Sequence, residues 1–289
     1  MKSNGQAPDV AVEVAAALER YATEYMRNVE APHFLRARKV VIDYFLTLLN
    51  KGCRVLDINC GTGIDSIEIA RHGHSVKGID ISSAMISFAK ESISAGELSG
   101  RVEAEVGDYR SLPKPDVLFD SVISNFGGIN FAQNLDPVFA SVRRNLSDGG
   151  LFLVNSVSRF SIMESLTFAI RGKIGKSVRR LSGGTARIGG TYVRLYYHSR
   201  ASFLRTAELF GFRLVDSFGL NILAPPLWAE DFFRFHPKLA GILEGVDDKI
   251  RRVPLIRSAG DFMILVFRKT DGERRSNERP GGSDLTPGS

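Results

Sequence analysis

The chain has 289 residues, of which 44% are hydrophobic and 24% charged. That length suits one or two domains with a sizeable core, and the balance excludes wholesale disorder and collagen-like repetition. No stretch reaches 18 uncharged apolar residues, so no membrane-spanning helix is expected. The two cysteines, Cys53 and Cys60, cannot make a disulfide framework or a four-ligand zinc site, which points to a reducing, cytoplasmic compartment. The net charge of +6 is uneven: nine Lys or Arg and no acid lie between Arg171 and Arg205. Such a field favours an anionic partner, although a solvated loop reads the same way.

In chain order, Val14, Leu18, Tyr21, Tyr25 and Val29 form a helical stripe over 10–29 with too many acids for a secretory signal. Pro32 breaks it, and Phe34, Val41, Tyr44, Phe45 and Leu48 mark a second helix. The apolar run Cys53–Asn59 reads as a buried strand, followed by a helix over Ile64–His72 that Gly73 stops. Ser75–Ile81 is a second strand, and Ser82 caps a helix running to about Ser94. Val102–Asp108 and Phe119–Asn125 are further strands, Asn134–Leu146 a helix, and Leu151–Val157 a fifth strand. This alternation predicts an α/β fold with a mostly parallel sheet covered on both faces. After the basic window come a strand over Tyr192–Tyr197, a helix over Ser199–Phe210, and strands over Phe212–Phe218 and Phe262–Phe267. The segment 224–252, with Pro225, Pro226 and Trp228, is a long insertion of the kind that forms lids. Residues 270–289 hold little to bury and are expected to be a disordered tail.

The chemistry concentrates in Val55–Gly63, VLDINCGTG, where a strand meets a Gly-x-Gly turn and a helix begins. Glycines admit a ligand close to the backbone, and free N–H groups at the helix start suit a carboxylate or phosphate. Seventeen residues beyond Gly63, Asp80 ends the second strand, where an acid can accept both hydroxyls of a ribose. The ligand is thus a nucleoside with an anionic or zwitterionic end. A dinucleotide fingerprint would want a third glycine where this chain has Ser66. Asp57, Asp80 and Asp108 all end strands; any one could be a plain turn former, but ligands of such sheets bind at those strand ends.

The ordered series VLDINCGTGIDSIEIA, VKGIDIS, VGDY, FDSVISNFGGIN and LSDGGLFLVNSV resembles class I S-adenosylmethionine-dependent methyltransferases. The likeness is greatest to the small-molecule branch that includes quinone-biosynthesis-type and natural-product enzymes. It is tight over 35–157 and extends to 269. It implies a Rossmann-like sheet of seven strands, mostly parallel with the last antiparallel, in one domain over 1–269. Within it, 8–50 would be a helical cap, 51–157 the cofactor core, and 158–198 and 219–258 substrate-side insertions after strands 5 and 6. The resemblance implies that Asn59, Cys60, Gly61 and Gly63 carry the methionine part of the cofactor, with Asp57 bracing the loop. Asp80 would bind the ribose, Ile81 would pack on adenine, and Asp108 would hold the adenine amino group beside Tyr109. Asn125 would face the methionine end and the methyl acceptor. The family usually has Gly where this chain has Asn59, a residue that tolerates left-handed backbone.

Methyl transfer is an in-line displacement that needs positioning first and a base only if the acceptor loses a proton. His198 is the best base candidate, since its ordinary pKa suits that role. Tyr21, Tyr25, His33 and Arg36 on the leading helices are weaker candidates, and Trp228 could wall an apolar or aromatic acceptor. Asn125 is followed by Phe-Gly-Gly and not Pro-Pro-aromatic, which disfavours one class of nucleic-acid methylase. The expected reading is S-adenosylmethionine-dependent methylation of an O, N or C atom of a small molecule of anionic or aromatic character, with S-adenosylhomocysteine as product. The alternatives are an RNA or protein methyltransferase using 171–205, or a non-catalytic cofactor-binding scaffold. A monomer and a homodimer are equally open.

Overall fold

A computed structural model describes residues 10–181 and 183–270. Helices α1 (Val10–Val29) and α2 (Pro32–Leu48) lead into β1 (Arg54–Ile58), α3 (Ile64–Arg71), β2 (Ser75–Asp80), α4 (Ser83–Ala95), β3 (Val102–Val106) and β4 (Phe119–Ser124). Then come α5 (Asp136–Asn145), β5 (Leu146–Val157), α6 (Ile162–Ile170), α7 (Ile174–Ser177), β6 (Gly184–Ile188), β7 (Thr191–Leu195) and α8 (Arg200–Leu209). The chain closes with β8 (Phe212–Leu220), α9 (Glu230–Phe235), α10 (Pro237–Ile250) and β9 (Phe262–Lys269). Pro32 occupies the start of α2, where its missing N–H costs nothing, and the Ser82 side chain accepts from the Met85 N–H to cap α4.

Seven strands make one sheet in the order β3-β2-β1-β4-β5-β9-β8, and only β9 runs against the others. Alternate residues feed two cores. Val55 and Ile123 face Phe45 of α2 and Ile69 of α3, while Leu56 and Val122 face Phe139 of α5 and Phe203 of α8. The parallel direction of β1, β2 and β4 brings their carboxyl ends to one edge, where a ligand site belongs in such sheets.

The structure refines three expectations. The strand expected at Leu151 begins at Leu146, which pairs with Phe119 ahead of a bulge. The expected strand over Tyr192–Tyr197 lies outside the main sheet, in a hairpin of β6 and β7 closed by Gly189 and Gly190. Both glycines have positive φ, as a two-residue turn of this hand requires, and a Cβ on Gly189 would lie 2.5 Å from the Ala17 carbonyl oxygen. The hairpin tip thus docks on α1, where Arg20 donates to the Gly189 carbonyl and to Thr191. Finally, Thr270 is tied to the Gly211 carbonyl, and the rest of the tail, like residues 8–9 of the cap, lies outside the described residues.

The basic window is less free than its charge suggests. Arg180 is buried between Glu164 and Asp261 (2.7 and 2.5 Å), and Arg179 also pairs with Glu164 (2.9 Å). Two of the nine cations therefore anchor α6 and α7 to the core instead of facing an outside anion.

Candidate active site

Three backbone irregularities build the first loop: Asn59, Gly61 and Gly63 all have positive φ (63°, 56° and 79°). Asn59 takes the left-handed conformation at the position where glycine was expected, and its side chain finds partners there. Its Oδ1 accepts from Ser124 Oγ at 2.8 Å and its Nδ2 donates to the Asn125 carbonyl at 3.2 Å. The side chain has room because residue 128 is glycine; a Cβ there would lie 2.2 Å from Asn59 Cγ. Gly128→Ala is therefore expected to displace this loop and weaken ligand binding at least tenfold, and adding Asn59→Gly should restore most of it. Titration calorimetry on the two variants checks both statements.

Asp80 ties the loop to β2. Its Oδ2 accepts from the Gly61 N–H at 2.9 Å and its Oδ1 from the Ser82 N–H at 3.0 Å. Burial raises its pKa above the ordinary carboxylate value, against those hydrogen bonds. Behind the loop, Asp57 accepts from Ser66 Oγ at 2.6 Å. Burial and the neighbouring Asp65 push its pKa up to about 8.

Arg38 of α2 sits within this acidic ground and is 7% exposed. Its Nη1 donates to Asp65 at 2.6 Å, its Nη2 donates to the Tyr25 hydroxyl at 2.6 Å, and its Cζ stands 4.5 Å from the centre of the Phe126 ring. Burial works against its charge, and Asp65 more than restores it. Its Nε is buried with no partner. Asn125 joins the same network, donating to Asp65 at 3.0 Å and accepting from Asn155 at 2.7 Å.

These groups wall one cavity of about 830 Å3, counting its open mouth. At its far end, Ile81 and Phe131 pack with Val14, Leu18, Val193 and Ile188 of α1 and the hairpin, giving an apolar slot. Asp108 borders it, held by the backbone N–H, Nε and Nη2 of Arg110, whose bonds outweigh burial and keep its pKa below the usual value. The Tyr109 hydroxyl donates to the Gly128 carbonyl at 3.1 Å. Glu19 of α1 accepts from the Ser82 and Ser83 hydroxyls and the Ala84 N–H at the start of α4, which holds α1 over this slot.

Of the residues expected at the site, Asn59, Cys60, Gly61, Asp80, Ile81, Asp108, Tyr109 and Asn125 line the cavity. Asp57 and Gly63 stand behind the wall, as brace and helix cap. Tyr25 lines it, and Tyr21 lies beside Tyr25 with ring centres 5.8 Å apart. His198 is not on this wall. Its Nε2 donates to the Ala132 carbonyl at 2.8 Å, its ring meets Phe203 edge-on, and burial lowers its pKa. It borders a separate depression with Tyr196 and Tyr197. His33 stacks on Phe233 at 4.3 Å in another cavity, and Arg36 is paired with Glu244. Trp228 stacks on Phe168 and donates to Glu164. Reading the sequence missed Arg38, Asp65, Phe126 and Phe131. Asp65 in the first turn of a helix carries a weak signal, and Arg38 carries none in its helical stripe.

With this geometry in view, residues 49–181 match the family model described as a methyltransferase domain. Residues 49–181 thus form a methyltransferase domain. The matched segment runs from β1 through α7, so Arg38, Tyr25 and the α1 roof are added to this domain from outside it. The chain is 35% identical over 104 residues to a ubiquinone/menaquinone biosynthesis C-methyltransferase of Geobacter sulfurreducens, 35% of this chain and 40% of the relative. It is 27% identical to the malonyl-[acyl-carrier protein] O-methyltransferase of the same organism over 88% of both chains. The chain spans about half or less of the curated relatives it resembles at higher identity. Among solved structures, magnesium protoporphyrin IX methyltransferase of Synechocystis PCC 6803 with bound S-adenosylhomocysteine shares the fold. Its TM-score is 0.58 at 15% identity, covering 91% of this chain and all of that one. Among the described residues no helix is long and apolar enough to cross a membrane, and no cluster of metal-binding side chains is present.

Proposed function

We propose that this protein binds S-adenosylmethionine in the cavity at the carboxyl ends of β1, β2 and β4 and transfers its methyl group to a small molecule. The observation that carries this reading is the partnerless buried Nε of Arg38 at one end of a cavity whose centre holds Asp80 and whose other end is an apolar slot. These three surroundings match a carboxylate, a ribose and an adenine in that order. The charge fits as well. With Asp57 protonated, Asp65 and Asp80 still outnumber the guanidinium of Arg38 in this ground, which leaves negative charge that an ammonium and a sulfonium would offset.

In this reading Arg38 and the Asn59–Gly61 backbone hold the amino-acid end. Asp80 accepts the ribose hydroxyls with the lone pairs left by Gly61 and Ser82. Ile81, Phe131, Val14 and Leu18 enclose the base, and Asp108 accepts from its amino group. The bound cofactor supplies an electrophilic methyl on sulfur. The chain then has to hold the acceptor atom in line, beside Asn125 and Phe126, and exclude water. His198 loses support as a base from its place behind Ala132, and we assign it to positioning that loop.

The acceptor is a small molecule of aromatic or flat character in our reading. The second cavity, bounded by His33, Phe233, Arg27, Asn28 and Arg234, is linked to the first by a chain of contacts, the Asn28–Tyr21 bond and the Tyr21–Tyr25 rings. Its stacked His33 and Phe233 rings favour a flat partner. Its arginines are matched by Glu230, Asp231 and Glu244, which gives no preference for an anion. The free thiols Cys53 and Cys60 favour a cytoplasmic setting.

Labelled S-adenosylmethionine incubated with a panel of quinols, porphyrins and acyl-thioester acids tests the activity. Labelled product from the native chain, and none from Asp80→Ala, is the expected result. Tight binding of the nucleoside with no labelled product across the panel would favour the scaffold reading.

The buried Asp57 adds a pH prediction. Its pKa of about 8 means that it is largely protonated at neutrality, facing Asp65, Asp80, Arg38 and Cys60. A cation in the cavity favours the ionised form, so binding releases a proton and affinity rises as pH increases from 6 toward 8, by at most about tenfold per unit. Asp57→Asn should flatten that dependence. The same shift works on folding: a carboxyl with a raised folded pKa stabilises least above that pKa, so Asp57→Asn should also raise the melting temperature at pH 8 by a few degrees.

A further inference from the structure

We propose that the α6–α7 segment docks the protein on an anionic lipid surface. The helix α6 is inverted relative to an ordinary surface helix. Its one buried residue is the acid Glu164, while Leu166 and Ile170 are 48% and 77% exposed. Phe160 before it, and Val178 and Leu181 after it, are 41%, 50% and 46% exposed. A soluble helix normally turns its apolar face to the core, and a cluster of exposed apolar side chains marks a binding surface.

The charge at the same place has one sign. Arg171, Lys173 and Lys176 are exposed, and the sole acid between Phe160 and Leu181 is Glu164, buried and already shared by Arg179 and Arg180. Those two ion pairs, with Arg180 also bound to Asp261, fix the helix with Leu166 and Ile170 facing outward. Leucine and isoleucine flanked by lysine and arginine is the composition of a helix that lies in a membrane interface. Nucleic acid would use the cations but not Leu166 and Ile170. A second copy would set cation against cation across a two-fold axis. The other exposed apolar stripe, Phe235, Leu239, Ile242 and Val246 near and along α10, lies among charges of both signs and lacks this field.

The full chain can report on itself, because its single tryptophan, Trp228, stacks on Phe168 of α6 with ring centres 5.4 Å apart. The chain is mixed, without any nucleoside, with vesicles of phosphatidylcholine alone or with phosphatidylglycerol added. Sedimentation and tryptophan emission are then read at low salt and at an ionic strength of about 1 M. Binding to the anionic vesicles alone, lost at high salt, is the expected result. Lys173→Gln with Lys176→Gln should weaken it about 25-fold, from roughly fivefold per charge. Ile170→Glu should abolish it, and its exposed position leaves folding intact, as the unchanged melting temperature will show. Equal binding to both vesicle types, or no binding to either, would overturn the proposal. So would RNA binding that survives Ile170→Glu, or a dimer that Ile170→Glu splits. Since no cofactor is present, failure here leaves the methyltransferase reading standing, and failure of that reading leaves this result standing.

Discussion

Arg38→Ala is expected to lower stability by about 3–5 kcal/mol, the cost of leaving a buried charge without its partner. Arg38 is the one cation among Asp57, Asp65 and Asp80, and it reaches both Asp65 and the Tyr25 hydroxyl. Its loss removes two charge-assisted bonds and the contact over Phe126, and exposes Asp65 to its acidic neighbours. For a chain of this size the melting temperature should fall by about ten degrees. Arg38→Lys keeps the charge but cannot reach both partners at once, so a loss between the two is expected. Adding Asp65→Asn to Arg38→Ala removes the stranded carboxylate and should return part of the stability. A double variant no more stable than Arg38→Ala would show that Asp65 is not the partner that matters.

Asp80→Ala is expected to reduce affinity for S-adenosylhomocysteine by roughly 100-fold or more. Hydrogen bonds to a charged group contribute about 1.5–3 kcal/mol each, and two ribose hydroxyls would lose theirs. The variant also frees the Gly61 and Ser82 N–H groups, so the loop loses its tie to β2. Asp80→Asn keeps one acceptor for Gly61 and places a donor against a donor at Ser82, which should give an intermediate loss. Calorimetric titration separates the three proteins. Native affinity in Asp80→Ala would remove the ribose assignment.

Much of this site is legible in the sequence because parallel strands impose it. A strand that ends in an acid or a glycine turn must deliver that residue to the carboxyl edge of the sheet. That rule puts Asp80 and Asp108 at the edge, the glycine turn adds Gly61, and the family resemblance adds Asn59 and Asn125; all five line the cavity. Arg38 was not legible. It comes from a helix whose docking angle depends on tertiary packing, and an arginine near a helical stripe looks like a solvated one. The basic window misled for a similar reason. Arg179 and Arg180 look free along the chain, but Glu164 and Asp261 reach them only after folding. His198 looked poised at the end of an insertion, yet the hairpin of β6 and β7 turns that insertion toward α1 and leaves the ring behind Ala132. That hairpin did carry a signal, the Gly-Gly pair between two runs of alternating residues. Asn59 looked like a departure from the family turn, and its compensation, Gly128, lies 69 positions away, where sequence order gives no hint.

Thermal unfolding of the native chain with S-adenosylmethionine, S-adenosylhomocysteine or NAD, each supplied separately, tests the cofactor assignment most directly. At about 100 times its dissociation constant, a ligand stabilises by roughly 2.7 kcal/mol, which for this length is several degrees. The cavity described here predicts that shift with both sulfur nucleosides and none with NAD. A shift with NAD alone, or with none of the three, would contradict it.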